Sequence, residues 1–287
     1  IGDWLDTAAA RGRVVEVNWR AVHLETGAGT QITPNSVLAG ASFTNLSRPA
    51  DAHSLTVTTI FSLDDPPNQV CALLTRLAAD LPMRRPDGTV SATPAGGLEY
   101  QTTIPLHSPA DDGDTKKLFL QWVWYASRRA GLHLDEAEDD FATTERLAEA
   151  VAAVVAPTLR LSADQQRELL GAANLERYGI GELVQRVGEV PERMTFILSG
   201  RVQLTASSDD GAETLIGILE NGSYLGQSTL TRQPVIGNAH ALDEVTVVHV
   251  ERDHIETVVQ RNPVLLQEFG RIIEDRRAHA RRLLSAD

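Results

Sequence analysis

Apolar and polar positions change their period several times along the chain, and each change predicts a different element. Val14-Val15-Glu16-Val17-Asn18-Trp19 and Ala21-Val22-His23-Leu24-Glu25 have strand composition, and Thr26-Gly27-Ala28-Gly29 turns the chain between runs. Pro34 has no amide hydrogen and belongs at a strand end or edge. Ser54 to Phe61 reads as a strand, after which Asp64-Asp65-Pro66-Pro67 opens a helix through Val70 to Leu77. Leu98 to Ile104 is a further strand. Asp111-Asp112-Gly113-Asp114 reads as a loop tip, and Lys116 to Leu132 as a helix carrying Trp122, Trp124 and Tyr125. The stretch 136–160 is acidic, then alanine-rich, and predicts a helical linker solvated on its surface.

Ser162, followed three residues later by Gln165, has capping-box spacing, and Leu169, Leu170, Ala173 and Leu175 supply an apolar face for the helix it starts. From Tyr178 to Val250 short apolar runs alternate with turn residues, the pattern of a compact antiparallel β structure. Asp210-Gly211 between two such runs is a strong hairpin signal. Gly222-Ser223-Tyr224-Leu225-Gly226-Gln227-Ser228-Thr229 is a loop of small residues that lets backbone amides approach an anion. Beyond Asn262-Pro263, Leu265, Leu266, Phe269, Ile272, Ile273, Leu283 and Leu284 recur at helical spacing. Arg276, Arg277, Arg281 and Arg282 crowd the last turns, where positive charge suits the helix dipole.

The chain has 287 residues and a net charge of −13, which argues against nucleic acid as a main partner. Residues 136–160 are the most acidic stretch, with six acidic and two basic side chains. A single cysteine, Cys71, excludes an internal disulfide and suits a reducing compartment. No run is long and apolar enough to span a bilayer, and the first residue is Ile1, so we expect a longer polypeptide upstream. The eight histidines lack metal-ligand spacing, and neither a nucleophile elbow nor a Gly-Lys-Ser/Thr phosphate loop is present, so no enzyme chemistry is expected.

Ile1-Gly2-Asp3-Trp4-Leu5, Gly12 to Val17, Pro34-Asn35-Ser36 and Asn45-Leu46-Ser47-Arg48-Pro49 occur in the order found in small-conductance mechanosensitive channels, whose cytoplasmic β domain this segment resembles. The strand–helix mixture of 52–135 is similar, in order and length, to the α/β domain that follows in that family. The glycines and hairpins after Leu161 resemble a cyclic-nucleotide-binding domain. Together the resemblances imply a mixed β and α+β chain: a small Sm-like β barrel (1–51), an α/β sandwich (52–135), the helical linker (136–160) and a jelly-roll-like cyclic-nucleotide-binding-type β barrel with flanking helices (161–287). They further imply a homoheptameric channel subunit on the cytoplasmic side of a bacterial plasma membrane. It would be anchored by helices upstream of Ile1 and would pass ions and small osmolytes.

In the second family the loop glycine and its neighbours hold the cyclic phosphate, a following glutamate holds the ribose, and an arginine near the loop's end pairs with the phosphate. Here Gly226 matches, Gln227 replaces the glutamate, and the arginine position falls on Val235 or Ile236, depending on the direction of matching. Ser228, Thr229, Gly237 and Asn238 complete the candidate site, with Arg232 three or four residues before the lost arginine. Weak or absent binding of cyclic AMP or cyclic GMP is therefore expected, and no other cofactor. The alternatives are a cyclic-nucleotide-gated channel of the same family, or a soluble regulatory protein using the barrel as an interaction module. A transcription regulator would need a helix-turn-helix after the last helix, which we do not expect in a sequence ending at Asp287.

Overall fold

The computed structural model describes residues 1–207 and 213–284, in two units: Ile1–Trp124 with Leu132–Glu136, and Tyr125–Gly131 with Ala137 onward. No helix among the described residues is long and apolar enough to cross a membrane.

The first unit opens with β1 (Trp4–Asp6), β2 (Arg11–Val17), β3 (Ala21–Thr26), β4 (Gly29–Pro34), the short α1 (Asn35–Ala39) and β5 (Thr44–Asn45). They form a five-stranded antiparallel sheet in the order β4-β3-β2-β1-β5. Leu5, Val14, Val22 and Leu24 bury one apolar cluster against it, while Val15, Val17, Trp19 and Ile32 remain exposed. Pro34 ends β4, where its missing donor matters least.

Next come β6 (Ser54–Ile60), α2 (Pro67–Ala79), β7 (Ser91–Gly96), β8 (Glu99–Pro105) and α3 (Asp112–Arg129), with a three-stranded sheet ordered β6-β8-β7. β7 was not apparent in the sequence because it carries Pro94 and Gly96; it is an edge strand, where proline is tolerated. The acidic run expected as a loop tip is instead a helix start. Pro109–Asp111 forms a 3-10 turn capped by Ser108, whose hydroxyl accepts from the Ala110 amide at 3.1 Å. Asp112 and Asp114 then lie in the first turn of α3, where carboxylates face the positive end of the dipole. Asp112 also holds Arg11 at 2.5 Å and the buried His53 at 2.7 Å.

Of the acidic–alanine stretch, residues 136–149 are exposed or half-buried as expected, whereas the part from Ala150 onward is packed in the core of the second unit. α4 (Thr144–Ala150), a π-helical turn (Val151–Val155) and α5 (Ala156–Leu159) are followed by α6 (Ala163–Leu169). Val151, Val154, Val155 and Leu159 are buried in one cluster with Met194, Phe196, Val248 and Val250. α6 starts with the predicted capping box: the Gln165 amide donates to Ser162 Oγ, and the Ser162 amide donates to Gln165 Oε1. It ends earlier than its apolar spacing implied. Ala173 and Leu175 belong to strand β9 (Ala173–Tyr178), because here the apolar residues alternate with period two.

The remaining strands are β10 (Leu183–Gln185), β11 (Arg193–Ser199), β12 (Val202–Ser207), β13 (Glu213–Leu219), β14 (Tyr224–Leu225), β15 (Asn238–Ala241) and β16 (Val245–Glu251), ahead of α7 (Arg252–Arg261) and α8 (Pro263–Leu284). Two four-stranded antiparallel sheets result, β10-β15-β12-β13 and β14-β11-β16-β9. β12 pairs with β13 as the hairpin predicts, although Asp210-Gly211 lies outside the described residues. Val202, Leu204, Ala239 and Ala241 of one sheet meet Ile197, Leu225, Val245 and Val247 of the other. The second sheet is covered on its far face too, since Val248 and Val250 pack among the helices. Burial on both faces explains why β16 reads as a nearly continuous apolar run rather than an alternation.

Candidate ligand-binding site

A pocket of about 50 Å³ opens in the second unit beside β14. One wall is the loop from Gly226 to Gly237; the others come from Gln185 of β10, Leu204 of β12, and Ile273 and Arg276 of α8. Gly226 takes φ +77°, and a Cβ there would stand 2.5 Å from the Arg193 carbonyl oxygen, so the chain can turn at this point only as glycine. The turn leads into a single 3-10 turn, Gln227–Thr229, whose three residues are all buried. At the other end of the loop a Cβ on Gly237 would meet the Thr205 carbonyl oxygen at 2.1 Å. Between them Val235 is anchored on both sides, its amide donating to Glu189 O and its carbonyl accepting from the Gly188 amide, each at 2.9 Å.

Gly226, Gln227, Ser228, Val235, Ile236 and Gly237, six of the eight residues singled out from sequence, line this pocket. Thr229 is fully buried elsewhere and accepts from Arg252 Nε at 2.9 Å. Asn238 braces the strands, accepting from the Val187 amide and donating to Glu213 Oε1, both at 2.9 Å. Arg232 is largely exposed and lies 3.9 Å from Glu256 of α7, not in the pocket wall.

Sequence reasoning missed Ile273 and Arg276. α8 presents Leu265, Phe269, Ile273 and Arg276 at intervals of four, four and three, one helical face, and the first three are buried against the barrel. Phe269 sets its ring edge-on to Tyr224 with centroids 5.5 Å apart. One turn beyond Ile273, Arg276 donates from Nη1 and Nη2 to the single Tyr224 carbonyl oxygen, each at 3.2 Å. Its guanidinium is thus a pocket wall, not the solvated dipole partner its place near a helix end suggested. Burial pulls its pKa below the ordinary arginine value. The stripe of four was visible in the sequence as the signal that could have found it.

A second polar cluster stiffens the barrel away from the pocket. His249 is fully buried: Nδ1 lies 2.9 Å from Thr195 Oγ1, and Nε2 lies 3.2 Å from both Glu176 Oε2 and Tyr178 Oη. Burial holds this imidazole below its ordinary pKa, hence neutral near pH 7. Burial pushes the Glu176 carboxyl up, but the His249 hydrogen bond and the charges of Arg193 and Arg129 outweigh it and bring it down to about 2. Arg129 also pairs with the buried Glu182, whose Oε2 accepts from the Gly179 amide at 2.9 Å. These contacts are mutually satisfied and leave no open coordination toward a ligand.

The strands from Leu175 to Glu251 and the loop between Gly226 and Gly237 lie within the stretch that sequence comparison matches, and α8 lies beyond it. Residues 175–262 match the family model of the cyclic nucleotide-binding domain. Residues 1–48 match that of the mechanosensitive ion channel β-domain. Among curated proteins the chain is similar to the CRP-like cAMP-activated global transcriptional regulators of two Mycobacterium tuberculosis strains, CDC 1551 / Oshkosh and ATCC 25618 / H37Rv. Each is 27% identical over 97 residues, 33% of this chain and 43% of the relative. The chain thus spans less than half the length of the curated relatives it matches. Among solved structures, the Thermus thermophilus catabolite activator protein is similar at 19% identity, over 45% of this chain and 62% of that chain, with a TM-score of 0.38. The sensor domain of the transcriptional regulator DNR from Pseudomonas aeruginosa is similar at 17% identity, over 46% and 89%, with a TM-score of 0.39.

Proposed function

We propose that the chain is the cytoplasmic part of a channel subunit of the small-conductance mechanosensitive type, carrying a cyclic-nucleotide-binding regulatory domain. The observation that carries this reading is the presence in one chain of both family matches, 1–48 and 175–262. In this reading the first sheet forms an Sm-like barrel, residues 1–51 and 52–135 build the ring below the pore, and seven subunits assemble around it. Helices upstream anchor the ring in the plasma membrane, ions and small osmolytes are the permeants, and no catalytic step is involved. The pocket beside Gly226 takes a cyclic nucleotide, and α8 closes over it. A ligand shifts the channel only by its differential affinity for two α8 positions, so sensing and gating are one equilibrium.

Patch recording from spheroplasts that express the full polypeptide and lack other mechanosensitive channels tests this. We expect tension-activated currents whose threshold shifts when cyclic AMP reaches the cytoplasmic face. Absence of tension-activated current removes the channel reading, and a threshold indifferent to saturating nucleotide removes the regulatory one. The role of the curated relatives favours a second reading, a cyclic-AMP-responsive transcription regulator. Nucleotide-dependent retention of a DNA fragment would support it, although the charge of −13 opposes it.

A further inference from the structure

Two side chains of the pocket hold polar atoms that the protein itself does not use, and a third is a guanidinium without a counter-charge. Gln227 and Ser228 are 5% and 8% exposed, yet Gln227 Nε2 and Ser228 Oγ have no hydrogen-bond partner. Both residues line the cavity. Buried polar groups are rarely left so, because each orphan sacrifices its hydration without return. Arg276, the third, directs two N–H groups at one carbonyl oxygen and makes no ion pair among the described residues. Of the rest of the wall, Leu204, Leu225, Val235 and Ile273 are apolar, and Gln185 already donates from Nε2 to the Gly237 carbonyl at 3.4 Å. A neutral ligand would satisfy Gln227 and Ser228 but leave the guanidinium without counter-charge. An acceptor bearing negative charge answers all three.

We propose that Arg276 of α8 is the anion partner of this pocket, binding the phosphate of a cyclic nucleotide that Gln227 and Ser228 also contact. This rests on the cyclic-nucleotide reading above and assigns to the closing helix the charge that Val235 and Ile236 lack. When ligand enters, Arg276 exchanges the Tyr224 carbonyl for a phosphate oxygen, a charge-assisted and stronger bond. A cavity of about 50 Å³ is well below the few hundred Å³ of ordinary ligand pockets, so α8 must move outward to admit a nucleotide. Because the neutralising group rides on the moving helix, ligand charge and helix position are coupled directly.

The test is calorimetry on the whole 287-residue chain with two probes, cyclic AMP and adenosine, which lacks the phosphate. Arg276→Gln should weaken cyclic AMP by about 30-fold or more, the loss of a buried charge partner, and leave adenosine, a weak ligand, unchanged. Arg276→Lys should recover part of the loss. Raising potassium chloride should weaken cyclic AMP for the wild type and not adenosine. Equal cyclic AMP affinity in wild type and Arg276→Gln overturns the proposal, as does an equal loss for both probes, which would place Arg276 on the base or in the fold. If Arg276→Gln does not fold, the salt series on the wild type decides, and salt-insensitive cyclic AMP binding overturns the proposal. A wild type that binds neither probe overturns the cyclic-nucleotide reading and this proposal with it.

Discussion

Phe269→Ala should release α8 while leaving the barrel folded. Phe269 is 2% exposed between Leu265 and Ile273 and meets the Tyr224 ring edge-on at 5.5 Å. Losing that burial costs about 1.5–3 kcal/mol, the aromatic pair adds about 0.5–1.5, and the unfilled cavity adds more, for roughly 3–5 kcal/mol in total. Hydrogen exchange read by mass spectrometry localises the effect. Amides between 265 and 276 should lose protection by roughly 10²- to 10⁴-fold, whereas β11 and β16, which carry the inter-sheet core, should change far less. Leu266→Ala, at a half-exposed site on the same helix, should stay within about 0.5 kcal/mol. A uniform loss of protection across the unit would refute the reasoning, because α8 would then be part of the cooperative core rather than a separable cover. Unchanged exchange in α8 would refute it equally.

Acidification should destabilise the second unit in two stages. His249, lowered in the fold, favours folding above its unfolded pKa of 6.5 and withdraws that support as pH falls below it. Glu176, brought from 4.5 to about 2, contributes roughly 3 kcal/mol above pH 4.5 that is lost towards pH 2. Melting curves followed by circular dichroism should show both declines, Glu176→Gln should erase the lower one, and a Tm constant between pH 6.5 and 3 would contradict the scheme. Ile236→Arg, at a 37% exposed lining position, should fold normally and tighten cyclic AMP binding, while Val235→Arg should cost about 1–3 kcal/mol of stability because Val235 is buried. Calorimetry showing no gain from Ile236→Arg would mean the loop cannot aim a cation at the ligand. The chain should self-associate through the exposed Val15, Val17, Trp19 and Ile32, so light scattering should report oligomers that Val17→Lys with Ile32→Lys disperses. A wild-type monomer at high micromolar concentration would count against assembly.

Local chemistry was legible and distant chemistry was not. The Ser162 capping box, the Pro34 strand end and the Gly226 turn each follow from rules that act within a few residues, and the structure has all three. Where two local rules competed, the spacing misled: Leu169 to Leu175 fits a helical stripe, but the chain breaks after Ala172 and Leu175 alternates as strand. Asp112 and Asp114 were read as turn formers, although carboxylates equally suit a helix start. Arg276 was hidden for a different reason. Its partner, the Tyr224 carbonyl, is 52 residues away, and an arginine near a helix C-terminus already has an adequate local explanation.

The burial of residues 150–161 bears on how a domain of this kind moves between proteins. Ala150, Val155, Leu159 and Leu161 are core side chains of the same cluster as Phe196 and Val250, although they precede the family-matched stretch. A gene fusion joined at residue 161 would carry the strands and the pocket but remove Val151, Val154, Val155 and Leu159 from the cluster around Val248 and Val250, leaving Ile255, Val259, Leu265 and Phe269 as its cover. Such a graft would lose part of its core and fold less stably. Recombination that transplants this module intact has to break the chain ahead of Thr143, whose side chain caps α4. The inheritable unit is therefore longer than the recognisable one.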